Sequence, residues 1–192
     1  MYLIFDCSAL SMPSNWRVNV EDTYHWPRMV HLAWEIFDAE TTIIASKNYL
    51  IKPAGFDISS QSTEWHGVQH EEAKEKGVAV CDVLSEFAVD VKQAQHVLAF
   101  NLEFNEKIVG AEFFRCHQAN VLVGAETLCL MRESTYYCRL AGKDGRYKWP
   151  TLQQLFQKCF GVQYEGANQA DKDVRAAAMC FFKLLNEEAL DL

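Results

Sequence analysis

The sequence predicts an α/β fold built on a mixed sheet. Three observations carry this reading. Strand-like apolar runs come first, two of them joined as a hairpin; helical and strand patterns then alternate; two helices close the chain. An antiparallel hairpin beside parallel strands makes a mixed five-stranded sheet with helices on both faces.

Each element has a local reason. Met1 to Phe5 is an apolar run and reads as a buried strand that delivers Asp6 to its end. Ser11 to Trp26 is polar, with Pro13, Ser14 and Asn15 as turn formers, and is long for a loop. Met29–Phe37 and Thr42–Ile51 form a hairpin turning at Asp38-Ala39-Glu40, and Lys52-Pro53 ends it. Asp82 is placed to cap a helix whose apolar positions are Val83, Leu84, Phe87 and Val91. His96 to Phe100 reads as a short buried strand. Leu102 to Cys116 reads as a helix burying Phe104, Ile108, Val109 and Phe113, and Val121 to Val123 as a further strand. Leu152, Leu155, Phe156 and Cys159 share one helix face ahead of Gly161, a natural stop. Asp171 to Glu188 is the last helix, capped by Asp171, with Val174, Met179, Phe182 and Leu185 inside.

At 192 residues the chain is long enough for one compact core, and 49% hydrophobic with 12% aromatic residues excludes disorder. No apolar run approaches the roughly 20 residues of a membrane span. The first residues lack a basic leader region, so the expected location is cytoplasmic. Seven scattered cysteines without a CxxC pair predict reduced, buried thiols and no disulfide framework. A net charge of −8 argues against broad, non-specific phosphate binding.

Six segments, taken in order, resemble a known family. They are Phe5-Asp6-Cys7-Ser8-Ala9; Trp26-Pro27-Arg28 followed by an apolar strand; His66-Gly67-Val68; Leu98-Ala99-Phe100-Asn101-Leu102-Glu103-Phe104-Asn105; Lys148-Trp149-Pro150-Thr151-Leu152; and Asn168-Gln169-Ala170-Asp171-Lys172-Asp173. Their order and spacing over essentially the whole chain resemble the DnaQ-like, or DEDD-type, 3′–5′ exonucleases. The resemblance implies an RNase H-like fold and a single exonuclease-type domain over residues 1–192.

In that family four carboxylates hold two divalent ions, Mg²⁺ or Mn²⁺, and a histidine is the general base. Carried over by position, Asp6 and Asp173 are kept as catalytic and metal-ligating residues. The other three positions are Ser8 for Glu, Asn105 for Asp and Asn168 for His. Two divalent ions about 4 Å apart repel by about 16 kcal/mol at an effective dielectric near 20. Four carboxylates neutralise such a pair; two do not. At most one weakly held ion is expected, and loss of the base alone costs about 10²- to 10⁴-fold. Glu103 and Glu106 flank Asn105 but point elsewhere on a helix.

Two nucleic-acid contacts are expected. By resemblance, His66 and Asn101 lie near a bound nucleotide. Arg132 to Trp149 is a flexible loop with Gly142 and Gly145; it carries Arg132, Arg139, Lys143, Arg146 and Lys148 against Glu133 and Asp144, with interleaved Tyr136, Tyr137, Tyr147 and Trp149. The leading expectation is a catalytically impaired exonuclease-fold protein that binds a single-stranded DNA or RNA 3′ end or a protein partner. The alternatives are an active exonuclease with rearranged ligands and a non-enzymatic protein-interaction module.

Overall fold

A computed structural model describes residues 1–190 and 192. Its sheet has the order β3-β2-β1-β4-β5. The strands are β1 (Tyr2–Ala9), β2 (Met29–Phe37), β3 (Ile43–Leu50), β4 (His96–Ala99) and β5 (Thr127–Cys129). β1–β2 and β2–β3 are antiparallel, while β1–β4 and β4–β5 are parallel, which is the expected mixed sheet. Helices α1 (Ser60–His66), α2 (His70–Lys76) and α3 (Val80–Gln93) lie between β3 and β4, and α4 (Leu102–Arg115) between β4 and β5. After β5 come α5 (Leu130–Glu133), α6 (Thr135–Cys138), α7 (Leu152–Phe160) and α8 (Ala170–Asn186).

The alternation of β1 sorts its side chains to two cores. Leu3, Phe5, Cys7 and Ala9 join the α3–α4 layer, while Ile4 joins Ala33, Phe37 and Leu98 under α7 and α8. Burying each large side chain in these layers stabilises by about 2 kcal/mol. Asp6 and Ser8 share the parity of Ile4 and so face the α7–α8 side, beyond the last residue at which β4 pairs with β1.

Several expectations need correction. Val121 to Val123 is turn, and the fifth strand begins at Thr127. Asn120 Oδ1 accepts from Leu122 N–H and fixes that turn, while Val97 pairs with Thr127. Asp82 and Asp171 stand inside the first turns of α3 and α8, where Ala79 and Gln169 are the N-caps. Acids in a first turn still complement the helix dipole. In α8 the buried face runs through Val174, Ala177, Ala178, Phe181 and Leu184; Met179 is exposed, and Phe182 and Leu185 are half-buried. Small alanines let the helix lie close on β1 and β2, rotating the face by about one residue. Four helices, α1, α2, α5 and α6, have no counterpart in the sequence reading. Ser59 caps α1 by accepting from Ser62 N–H, and Gly67, at φ 78°, ends it.

Cys81 and Cys116 form a disulfide with Cα atoms 5.5 Å apart, against the expectation of reduced cysteines throughout. Packing of α3 on α4 brings the start of one helix to the end of the other, a juxtaposition that no sequence spacing announces. The other five cysteines are free and buried.

The long segment 11–28 is tied down from beneath. Glu112, on α4, is 0% exposed and accepts from Arg28 Nε at 2.8 Å, Met29 N–H at 3.0 Å and an Arg115 guanidinium nitrogen at 3.0 Å. Arg115 in turn donates to the Thr23 and Trp26 carbonyls. This buried charge cluster joins the loop, β2 and α4.

Candidate active-site cleft

A cleft of about 360 Å³ opens where β1 runs past the end of β4. Ligand sites of α/β sheets favour this location, at the carboxyl ends of strands. β1 supplies Asp6, Cys7, Ser8 and Ala9; the β4–α4 junction supplies Phe100, Asn101, Phe104 and Asn105; the start of α8 and the loop before it supply Ala167, Asn168 and Asp173. Asp6 and Asp173 therefore come together, with Ser8, Asn105, Asn168, Asn101 and His66 around the same cleft. Arg139, Lys143, Arg146 and Lys148 do not line it; they stand on the exposed segment that follows α6.

Two of the three neutral side chains, Asn105 and Ser8, are committed to hydrogen bonds. Asn105 is 1% exposed; its Oδ1 accepts from Cys7 N–H at 2.6 Å. Its Nδ2 donates to Asp6 Oδ1 at 3.0 Å and to the Asn101 carbonyl at 3.1 Å. The amide thus turns its nitrogen, not its oxygen, toward Asp6. Ser8 Oγ donates to the Asn168 carbonyl at 3.3 Å. Asn168 adopts φ 70°, a left-handed conformation that asparagine tolerates.

Asp173 is also engaged. Its Oδ1 accepts from the Tyr164 hydroxyl at 2.7 Å, and both oxygens accept from Asn168 N–H. Tyr164 is the residue that sequence reading missed. It stands nine positions before Asp173, in no motif, and only tertiary structure turns its hydroxyl into the cleft.

His66 lines the cleft, yet both ring nitrogens are occupied. Nδ1 accepts from Val68 N–H, so Nε2–H faces Ser62 Oγ at 2.7 Å, and that hydroxyl donates to the Leu10 carbonyl. Burial, with His31 nearby, lowers its pKa. His66 is therefore a neutral, internally bonded side chain with no nitrogen free to serve as a base in place of Asn168.

The carboxylate environment is unfavourable to charge. Burial pushes the Asp6 pKa well up; the Asp173 charge adds to this, and the Asn105 amide opposes it. Burial likewise raises Asp173, to about 6, against the bonds from Tyr164 and Asn168. The two acids titrate as a pair. Their raised values mean that the native state holds protons more tightly than the unfolded chain. The favourable contribution is present below about pH 4 and is lost as pH rises through about 6. Asp6→Asn keeps an acceptor for Asn105 and removes one charge. Its unfolding free energy should match that of the native chain near pH 4 and increasingly exceed it as pH rises through about 6. Denaturant titrations across that range check this.

The donor set does not fit a two-ion centre. Among the described residues, no group of three or more His, Cys, Asp or Glu side chains is placed to hold a metal ion. The Asn105 oxygen is taken by Cys7 N–H, and Ser8, whose hydroxyl donates to the Asn168 carbonyl, brings no charge.

No family model matches the chain, and no curated protein matches it in sequence. Solved structures do. An E. coli exonuclease I complex with a dT13 oligonucleotide is 18% identical, with a TM-score of 0.74 over 96% of this chain and 40% of that one. A zinc-ion-bound E. coli exonuclease I–single-stranded DNA complex is 17% identical, with a TM-score of 0.75 over 97% and 40%. A complex of exonuclease I with an SSB C-terminal peptide is 16% identical, with a TM-score of 0.73 over 96% and 41%. At such identity the likeness shows the fold, an RNase H-like one, and the chain spans about 40% of the length of these proteins.

Proposed function

We propose that residues 1–192 act as one DnaQ-like exonuclease-fold unit that holds the 3′ end of single-stranded DNA or RNA in the cleft and hydrolyses it weakly or not at all. The observation that carries this reading is the Asn105 amide. It keeps the position of a family carboxylate but presents an N–H donor to Asp6, with its oxygen already bonded to Cys7. Asp6 and Asp173 then hold at most one Mg²⁺ or Mn²⁺ ion, weakly. The loss of charge strikes the cleft and leaves the surrounding core packed.

Binding is supported by the apolar walls of the cleft, where Trp65, Phe100, Phe104 and Met131 offer faces for a base and ribose. Exonuclease I, the structural neighbour, is seen with oligonucleotides and with an SSB peptide, which favours a nucleic-acid ligand and allows a protein partner as well.

The test uses 3′-labelled single-stranded DNA and RNA with Mg²⁺ or Mn²⁺, and Asp6→Ala to detect a contaminating nuclease. The expected result is binding with no shortening above that of Asp6→Ala. Shortening that disappears in Asp6→Ala sinks the impaired reading in favour of an active exonuclease with rearranged ligands. Absence of binding to either oligonucleotide at low salt favours a protein-interaction module.

A further inference from the structure

We infer that the segment from Arg132 to Trp149 is a stacking shelf for single-stranded nucleic acid leaving the cleft, with Trp149 as its first platform. This rests on the reading of the cleft as a 3′-end site and adds a second, separate binding surface to it.

Position comes first. Met131 and Pro150 line the cleft, and Arg132 and Trp149 are their immediate chain neighbours. The Arg132 guanidinium lies 5.5 Å from the centre of the Trp149 ring, so cation and aromatic face stand together at the rim. A strand whose end sits in the cleft meets this pair on its way out.

Exposure comes second. Tyr136 is 77% exposed, Tyr147 44% and Trp149 55%. Tyr136 and Tyr147 meet edge to face at 5.9 Å. Three large aromatic side chains kept at the surface of one short segment suit a ligand with flat, apolar faces. Every base has such a face, whatever its sequence.

Order comes third, and it corrects the expectation of a flexible loop. Lys148 N–H donates to the Leu140 carbonyl at 3.0 Å, Gly142 N–H donates to the Arg146 carbonyl at 2.9 Å, and Ala141 bridges Tyr147. A Cβ at Gly142 would lie 2.7 Å from the Arg146 carbonyl oxygen, so this close approach needs glycine. A shelf already in place loses little conformational freedom when a base stacks on it.

Charge comes last. Arg132, Arg139, Lys143, Arg146 and Lys148 are all exposed on a chain whose net charge is −8. Among the described residues, Arg132 alone of the five is in an ion pair, with Glu103 at 3.1 Å. Cations beside aromatic faces match a polymer of phosphates and bases better than an acidic peptide, which offers few flat faces.

The test is equilibrium anisotropy with oligo(dT) and oligo(U) of about two, four and eight nucleotides. Each carries a label at the 5′ end, and EDTA suppresses hydrolysis. Affinity should rise from two to eight nucleotides in the native chain. Trp149→Ala should weaken eight-nucleotide binding by about 5- to 150-fold and leave two-nucleotide binding unchanged, while Trp149→Phe retains most of the affinity. Lys143→Ala with Arg146→Ala should lower the salt slope by about 1.4 on the longer strand. The DNA and RNA arms show which sugar is preferred. If Trp149→Ala binds eight nucleotides like the native chain while the shortest strand still binds, the shelf is wrong and the cleft reading stands. If the shelf variants weaken binding but a 3′-phosphate on the strand changes nothing, the shelf stands and the 3′-end reading fails. No binding at any length at low salt overturns both.

Discussion

Ser8→Glu, Asn105→Asp and Asn168→His, made together, are expected to give Mn²⁺-dependent shortening of single-stranded 3′ ends at least 10²-fold above the native chain. Asn105→Asp removes the N–H that points at Asp6 and replaces it with an oxygen. Asn168 sits at φ 70°, a region where histidine is also among the better-tolerated residues, and its side chain already lines the cleft. Ser8→Glu breaks the bond to the Asn168 carbonyl and adds the fourth carboxylate. Without metal, these added buried charges cost several kcal/mol, so the variant should melt well below the native chain. Mn²⁺ at about 100 times its dissociation constant should return about 2.7 kcal/mol. Melting curves with and without Mn²⁺, beside the 3′-label assay, read both effects. A variant that folds but gains neither stability from Mn²⁺ nor nuclease activity would show that the cleft cannot be turned into a metal site by these positions.

The second large effect is structural. Glu112→Ala is expected to cost about 3–5 kcal/mol of unfolding free energy, because it leaves Arg28 and Arg115 beside a cavity with no counter-charge. For a chain of this size that is a fall of roughly 10 °C in Tm. The damage should spread to the loop, since Arg115 also holds the Thr23 and Trp26 carbonyls. Limited proteolysis should therefore cut near residues 11–22 in the variant before the native chain is touched. A loss under about 1 kcal/mol would mean that water fills the gap and the cluster is not the anchor described.

The fold was legible where periodicity is local. Val83, Leu84, Phe87 and Val91 on α3, and Leu152, Leu155, Phe156 and Cys159 on α7, announce their buried faces by spacing alone. The face of α8 was misplaced because alanines pack closely without standing out as apolar, so Met179 drew the assignment that belongs to Ala177, Ala178 and Phe181. The strand at Thr127–Cys129 was missed because three residues carry no usable period and Val121 to Val123 is more apolar. In the cleft, Asp6, Asn105, Asn168 and Asp173 were identifiable from motif order, and the structure brings them together. The direction of the Asn105 amide, the hydroxyl of Tyr164 and the internal bonds of His66 depend on residues distant in the chain or on side-chain rotation, which motif spacing does not encode.

The pairing of β1 with α8 has a consequence for biosynthesis. Asp6 lies on the central strand of the sheet and Asp173 on α8, so the two halves of the cleft are made far apart in time. At the ribosomal pace of about 5–20 residues per second, β1 waits roughly 10–30 s before α8 exists to cover it. The hairpin of β2 and β3 can shield one edge of β1 early, but the other edge must await β4. A nascent chain stalled before α8 therefore exposes Ile4, Ala33 and Phe37 together and makes a natural client for a chaperone, while the cleft is complete only once α8 docks.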